Sequence, residues 1–169
     1  MINFKCNLWL NLSSFDNLKL KHMKFVHVNI ISKDWKKLAD FYTKVFECVP
    51  LWPERDLSGE WLDKATAINN THISGIHLRL PGFEVGSPTL EIFQYDTNST
   101  EHPKKINTEG LAHLAFRVDD VQIILKRALS NGGSQVGDLT KKEIKGLGTI
   151  TFVYLADPEG NIIEIQNWS

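Results

Sequence analysis

The order of predicted secondary-structure elements repeats along this chain, and the repeat constrains the fold more than any other feature. Alternating apolar residues predict a strand over residues 24–31, and a helix and three further strands follow before residue 96. One strand, one helix and three strands follow again from residue 111. Ser32 and Asp119 are the predicted N-caps of the two helices. This internal duplication predicts two similar modules that bury their apolar faces together.

Short stretches also match between the two halves. The stretch VHVNI in the first predicted strand corresponds to AHLAF in the second half, and LEIFQ corresponds to IEIQN. Each first strand therefore carries a histidine, His27 or His113, and each last strand carries a glutamate, Glu91 or Glu164. The first pair is further apart in sequence because of the stretch SGEWLDKATAINN, which we interpret as an insertion over the site.

Composition and charge exclude several classes of partner. Hydrophobic residues make up 42% of the 169 residues, charged residues make up 23%, and the formal net charge is -1. Because there is no basic block, we expect neither nucleic acid nor an anionic membrane as a partner. No apolar run approaches the roughly 20 residues that span a bilayer. Cys6 and Cys48 have no metal-type spacing, and we interpret them as free thiols in a reducing cytoplasm.

We divide the chain into four segments. Residues 1–22 are predicted to be a disordered or loosely attached N-terminal extension, or the product of a start codon placed too early. Residues 23–96 form the first βαβββ module, and residues 97–110 form a polar linker. Residues 111–169 form the second βαβββ module.

Strand alternation places the four repeated residues on the faces that point away from the helices. His27 alternates with apolar neighbours that we expect to meet a helix, so the imidazole points to the other face of the sheet. Glu91 shares its face with Phe93, and Glu164 shares its face with Gln166. Such faces are too apolar for a solvated surface and too polar for a closed core, which indicates the wall of a pocket.

If the two half-sheets curl and meet, the four residues converge. Two neutral imidazoles and two carboxylates are a suitable ligand set for a divalent ion, whose charge offsets the burial of the carboxylates. Taken singly, each residue is more often an ordinary core or edge group. Their repetition at matching positions favours a metal site, whose predicted ligands are His27, Glu91, His113 and Glu164.

The chain resembles the vicinal oxygen chelate superfamily, which includes glyoxalase I, extradiol dioxygenases, methylmalonyl-CoA epimerase and the fosfomycin and bleomycin resistance proteins. The matching stretches are HVNIISKDWKKLADFYTKVFE, PTLEIFQY, GLAHLAFRVDDV and YLADPEGNIIEIQ, which lie within residues 23–168. The resemblance implies an α+β fold in which two tandem βαβββ modules form an open, U-shaped mixed sheet around a metal. The ligand positions of the family fall on the same four residues.

A histidine–glutamate pair from each half resembles glyoxalase I. This resemblance implies a metal-dependent isomerase or lyase of the lactoylglutathione lyase type, acting on a small substrate with vicinal oxygens through an enediolate. The ion would be Zn, Ni, Co, Mn or Fe. Glu91 and Glu164 are both eligible as the catalytic base, and we favour Glu164.

Five further residues are candidates for the substrate pocket: Trp61, His77, Arg79, Phe93 and Arg117. Two alternative functions stay open, namely an Fe(II) extradiol-type dioxygenase or methylmalonyl-CoA-type epimerase, and a non-enzymatic protein that binds a small molecule or an antibiotic. We also expect a homodimer, and the sequence leaves open whether the two halves complete the site within one chain or across the dimer.

Overall fold

The structure is a computed structural model, and it describes residues 24–83, 86–99 and 105–169. Nine strands and three helices lie within these residues. In chain order they are β1 (His27–Ile31), α1 (Trp35–Phe46), β2 (Val49–Ser58), α2 (Glu60–Thr66), β3 (His72–Arg79), β4 (Thr89–Tyr95), β5 (Leu114–Arg117), α3 (Val121–Ser130), β6 (Ser134–Gln135), β7 (Thr140–Ile144), β8 (Gly148–Ala156) and β9 (Ile162–Trp168). The predicted N-terminal extension, including Cys6, lies outside the described residues.

The strands form two mixed sheets, one from each half of the chain. The first sheet has the strand order β1-β4-β3-β2, and the second has the order β5-β9-β8-β6, with β7 also paired to β8. In each half the first strand pairs in parallel with the last strand, and the remaining pairs are antiparallel. The predicted α+β fold is therefore confirmed, and each first strand lies directly beside the strand that carries a glutamate.

One hydrophobic core joins the two halves. Val28 and Ile30 on β1 pack against this core, whereas the residues between them point to the opposite face of the sheet. The ring of Phe46 on α1 stacks on the ring of Phe116 on β5, with centroids 4.2 Å apart. Fully burying a side chain of this size contributes about 1.5–3 kcal/mol. Because Phe46 and Phe116 come from different halves, their packing stabilises the contact between the modules.

Strand β7 and both helix caps differ from the sequence prediction. The stretch TKKEI of β7 is almost wholly exposed and has no apolar alternation, so only its pairing with β8 defines it as a strand. Asp34, and not Ser32, caps α1 by accepting a hydrogen bond from the amide of Lys37. Asp120, and not Asp119, caps α3 in the same way.

The turn DPEGN of the second half binds the start of α1 in the first half. The carboxylate of Glu159 accepts hydrogen bonds from the amide of Lys33 at 2.9 and 3.0 Å and from the amide of Asp34 at 3.0 Å. The hydroxyl of Ser32 donates to the same carboxylate at 2.7 Å. The first amides of a helix lack partners within the helix and carry a partial positive charge. Glu159 therefore stabilises α1 and connects the two modules.

A buried polar contact joins the modules nearby. The hydroxyl of Tyr42 on α1 donates to Oδ2 of Asp157 at 3.1 Å, and both residues are buried. Burial raises the pKa of Asp157. Its carboxylate also accepts hydrogen bonds from the amides of Glu159 and Asn161, so the turn is ordered around it.

Replacing Glu159 with Ala should lower the free energy of unfolding by about 1–2 kcal/mol, because the amides at the start of α1 lose a charged acceptor. Urea unfolding followed by circular dichroism measures this change. Glu143 on the exposed strand β7 supplies the control, and Glu143→Ala should change stability by less than about 0.5 kcal/mol. Equal losses in the two variants would contradict the role of Glu159 as a cap between modules.

His72 connects three parts of the first sheet. Its Nδ1 lies 2.8 Å from Oδ1 of Asp96, and its Nε2 lies 2.5 Å from Oδ1 of Asp56. Only a protonated imidazole can donate to both carboxylates at once. Hydrogen bonding to Asp56, and then to Asp96, raises the pKa of His72 above its ordinary value of 6.5.

The contribution of His72 to stability should depend on pH. Because the pKa is raised in the folded state, the contribution is fully present below the ordinary pKa of 6.5 and is lost as the pH rises through the raised value. His72→Gln should therefore lower the melting temperature more at about pH 6 than at about pH 9. A loss of equal size at both pH values would show that protonation of His72 does not stabilise the sheet.

Candidate functional site

The first half brings three nitrogen-bearing side chains to the carboxylate of Glu91. Nε2 of His27 lies 3.4 Å from Oε2, and Nε2 of His77 lies 3.2 Å from Oε1. The side-chain amide of Asn29 donates to Oε2 at 3.2 Å. Asn29 and His77 lie opposite Glu91 in the register of the two strands that flank β4. Neighbouring strands are about 4.8 Å apart, so side chains in register on one face meet.

These neighbours make the burial of Glu91 possible. Only 8% of Glu91 is exposed, and a carboxylate in such a position is costly without charge or hydrogen-bond compensation. Burial lowers the pKa of His77, and the charges of Arg55 and His27 lower it further, whereas the charge of Glu91 opposes the shift. The side chain of His27 is 42% exposed, so the cluster is open to solvent on that side.

The second half repeats the pair around Glu164. Nε2 of His113 lies 3.1 Å from Oε2 of Glu164. Tyr154 lies directly opposite Glu164 in the register of β8 and β9, and its ring packs edge-on against the ring of His113 with centroids 5.3 Å apart. Burial, and then the charge of Glu164, raises the pKa of Tyr154. The phenol therefore stays protonated at neutral pH beside the carboxylate.

His77 and Tyr154 occupy equivalent positions in the two halves. Each lies on the strand that precedes the last strand, directly opposite the glutamate. The sequence indicated His77 as a pocket residue, but Tyr154 was missed. No local pattern in the sequence indicates Tyr154, because the register between β8 and β9 sets which residue lies opposite Glu164. The two halves therefore share one arrangement and differ in the residue that faces the carboxylate.

Each histidine–glutamate pair has the donor atoms and the spacing of neighbouring metal ligands. Imidazole nitrogen and carboxylate oxygen bind Zn²⁺ at about 2.0–2.2 Å, which places adjacent ligand atoms about 3.0–3.5 Å apart. The separations of 3.4 Å at His27 and 3.1 Å at His113 lie in this range. Nδ1 of His113 is buried and has no hydrogen-bond partner among the residues that the structure describes, so the contact of Nε2 with Glu164 is the polar contact that orients the ring.

The four predicted ligands lie in two pairs. Within residues 24–83, 86–99 and 105–169, no three side chains of His, Cys, Asp or Glu converge in an arrangement that could hold a metal ion. The residues thus fit a metal by donor type and by spacing within each pair. The site with four ligands stays a prediction.

A cavity of about 620 Å³ lies between β1 and β5. Its wall includes His113 of the second pair and Asn29, which donates a hydrogen bond to Glu91 of the first pair. His27, Glu91 and Glu164 are not part of the wall. Ile68, from the inserted stretch of the first half, contributes to the wall. The volume is within the range of about 300–1,000 Å³ typical of sites for small molecules. The wall also includes Ile31, Tyr95, Leu111 and Ile162.

The five predicted pocket residues all belong to the described part of the chain, and none of them lines this cavity. Trp61 on α2 is 58% exposed, and Arg117 at the end of β5 is exposed. His77, Phe93 and Arg79 share the face of the first sheet that carries Glu91. The rings of His77 and Phe93 pack edge-on with centroids 5.6 Å apart. Contact of these residues with a substrate remains a prediction.

Arg55 is a further residue on this face that the sequence did not indicate. Glu54, Arg55 and Asp56 are consecutive charged residues, a pattern that does not predict a strand. In the structure β2 continues through them to Ser58, and Arg55 lies opposite Gly75 of β3. Pairing with β3, and not local alternation, therefore places Arg55 beside the cluster around Glu91.

Comparison with known proteins identifies the family. The family model of the glyoxalase/bleomycin resistance protein/dioxygenase superfamily matches residues 24–165. The chain belongs to this superfamily. Its members bind small molecules, and many are metal-dependent enzymes. No curated protein matches the chain. In the part of the chain that the structure describes, no helix is long and apolar enough to cross a membrane.

Solved structures of the superfamily share the fold. A glyoxalase family protein from Bacillus cereus superposes with a TM-score of 0.70 at 18% identity, over 90% of this chain and 97% of that protein. A superfamily domain from a Frankia species gives a TM-score of 0.55 at 18% identity, over 88% and 98%. A superfamily enzyme from Burkholderia phytofirmans gives 0.53 at 16% identity, over 87% and 100%. Identities this low establish the fold alone.

In the metal-free protein, the pKa of His77 should lie below 6.5, because burial disfavours the imidazolium. Arg55→Gln should raise this pKa by removing a nearby cation, and Glu91→Gln should lower it further by removing an anion. Titration of the His77 ring protons by NMR measures both changes. Arg127→Gln, whose arginine pairs with Glu47, is the control. A pKa unchanged in both test variants would contradict the described contacts.

Proposed function

We propose that this protein is a metal-dependent, glyoxalase-like isomerase or lyase that acts on a small substrate with two neighbouring oxygens. Superfamily membership does not decide the reaction, because one fold hosts many activities. The observation that carries the proposal is a histidine–glutamate pair at equivalent strand positions in each half. One such pair would be an ordinary polar contact, whereas the repeat supplies two nitrogens and two carboxylates, a ligand set suited to one divalent ion.

His27, Glu91, His113 and Glu164 would hold the ion, which polarises the substrate oxygens when bound and makes the adjacent C–H group more acidic. The two carboxylates balance the charge of a divalent cation. The histidines would bind the ion through a ring nitrogen of the neutral imidazole. Zn, Ni, Co, Mn and Fe are all compatible with this donor set.

Glu164 is the better candidate for the base that removes a proton from carbon and returns it to the neighbouring carbon. Three nitrogen-bearing side chains surround Glu91, whereas His113 and Tyr154 lie against Glu164. A carboxylate with fewer neighbouring donors is freer to turn toward a substrate and act as a base. Tyr154 would keep the orientation of Glu164 by donating a hydrogen bond from its hydroxyl to the carboxylate.

The cavity between β1 and β5 would give a substrate access to the site, since His113 and Asn29, the hydrogen-bond donor to Glu91, line its wall. The lactoylglutathione lyase type of reaction predicts a hemithioacetal of methylglyoxal and a thiol. The buried, free thiol of Cys48 supports a reducing compartment such as the cytoplasm. A homodimer remains our expectation for the assembly.

Turnover of the methylglyoxal–glutathione hemithioacetal tests this proposal. The protein is stripped of metal and reloaded with each of the five metals in turn. Glu164→Gln should reduce turnover by about 100- to 10,000-fold, the usual contribution of a general base. Glu143→Gln, on the exposed strand β7, is the matched control and should retain the activity of the wild type. Undiminished turnover by the stripped protein, or by Glu164→Gln, would refute the proposal.

A small-molecule-binding protein without catalytic activity is the second candidate. The favouring observation is that each carboxylate already has a histidine within its own half, which offsets part of the cost of burial without an ion. A protein of this kind would bind a small molecule in the cavity without a metal ion. No metal uptake on titration, together with ligand binding retained in Glu164→Gln, would select this candidate.

A further inference from the structure

Two arginines lie on the face of the first sheet that carries Glu91. Along β3, Gly75, His77 and Arg79 share this face, whereas Ile76 and Leu78 between them are buried in the core. Arg55 of β2 lies opposite Gly75 in register and therefore points to the same face. The two arginines thus lie on either side of His77 on this face, and the charge of Arg55 acts on the His77 ring.

Neither arginine has a carboxylate partner among the residues that the structure describes. Both are partly buried. Arg55 donates one hydrogen bond, from Nη1 to the carbonyl of Pro53 at 2.6 Å, although a guanidinium has five N–H donors. Glu91, the carboxylate on this face, is already engaged by His27, His77 and Asn29. The face therefore carries more cationic than anionic groups.

An aromatic surface adjoins these cations. A Cβ added at Gly75 would lie 2.4 Å from a ring carbon of Phe93, so the ring of Phe93 lies against the backbone of Gly75. Phe93 on β4 and Arg55 on β2 consequently flank Gly75 from its two sides. An arginine on one side of Gly75 and an aromatic ring on the other suit a ligand in which a carboxylate is attached to an apolar body.

We infer that the substrate carries an anionic group, a carboxylate or a similar oxyanion, which Arg55 binds with the help of Arg79 while the apolar part of the substrate packs on Phe93. Because it names the substrate class of the same site, this inference rests on the proposed function. Arg55 contributes the planar pair of donors, and Arg79 adds positive charge on the other side of His77. Neutral analogues of the substrate lack the group that these residues recognise.

Binding of two matched probes to the metal-free protein tests the inference. The probes are 3-phenylpropionate and its neutral amide, and calorimetric titration measures their affinities. The wild type should bind the acid at least about tenfold more tightly than the amide, since charged hydrogen bonds are about twice as strong as neutral ones. Arg55→Gln should abolish this preference, and Arg55→Lys should restore it only in part. Arg127→Gln, which lies outside this face, should keep it.

Equal affinities for acid and amide in the wild type, no binding of either probe, or a preference that survives in Arg55→Gln would overturn the inference. Circular dichroism of each variant shows that lost binding is not lost folding. Since the titration uses metal-free protein and measures no turnover, its result does not depend on the metal or the reaction. If the protein shows no lyase activity but still prefers the acid, the anion site is supported and the lyase proposal is not. If it shows lyase activity but has no preference for the acid, only the anion site is contradicted.

Discussion

In each half, a parallel strand pairing holds a histidine against a carboxylate that is largely withdrawn from water, and the candidate site depends on this contact. β1 runs beside β4, and β5 runs beside β9, so each histidine reaches its glutamate at 3.4 or 3.1 Å. Glu91 is only 8% exposed, and burying its carboxylate this deeply would be costly without the hydrogen-bond donors around it. The core on the other face of each sheet keeps the strands in register, because a shift by one residue would bury the polar set.

Contacts between the modules hold the two halves together. Glu159 of the second half binds the start of α1, and the rings of Phe46 and Phe116 stack across the boundary. The hydroxyl of Tyr42 reaches the buried Asp157 in the same region. These polar and apolar contacts all join α1 of the first module, or the residues at its start, to the second module. The cavity lies between β1 and β5, each of which is an edge strand of its sheet.

The strands with strong apolar alternation could be predicted from the sequence, as could the faces of the residues on them. The stretches GTITFVYLA and IIEIQNW form strands with these limits, and Glu164 lies opposite the buried face as expected. Strand β7, the contact of Tyr154 with the second pair and the position of Arg55 could not be predicted. Each depends on pairing with a neighbouring strand, and local alternation carries no information about that register.

The predicted convergence of the two pairs on one ion depends on how the two sheets pack, which no stretch of sequence encodes. Mass spectrometric measurement of bound metal in the wild type, His27→Ala and His113→Ala is therefore the most direct test of the account. The two histidines belong to different halves. The account predicts one divalent ion per chain in the wild type and loss of that ion in either variant. An ion retained after removal of either histidine, or no ion in the wild type, would contradict a site shared between the halves.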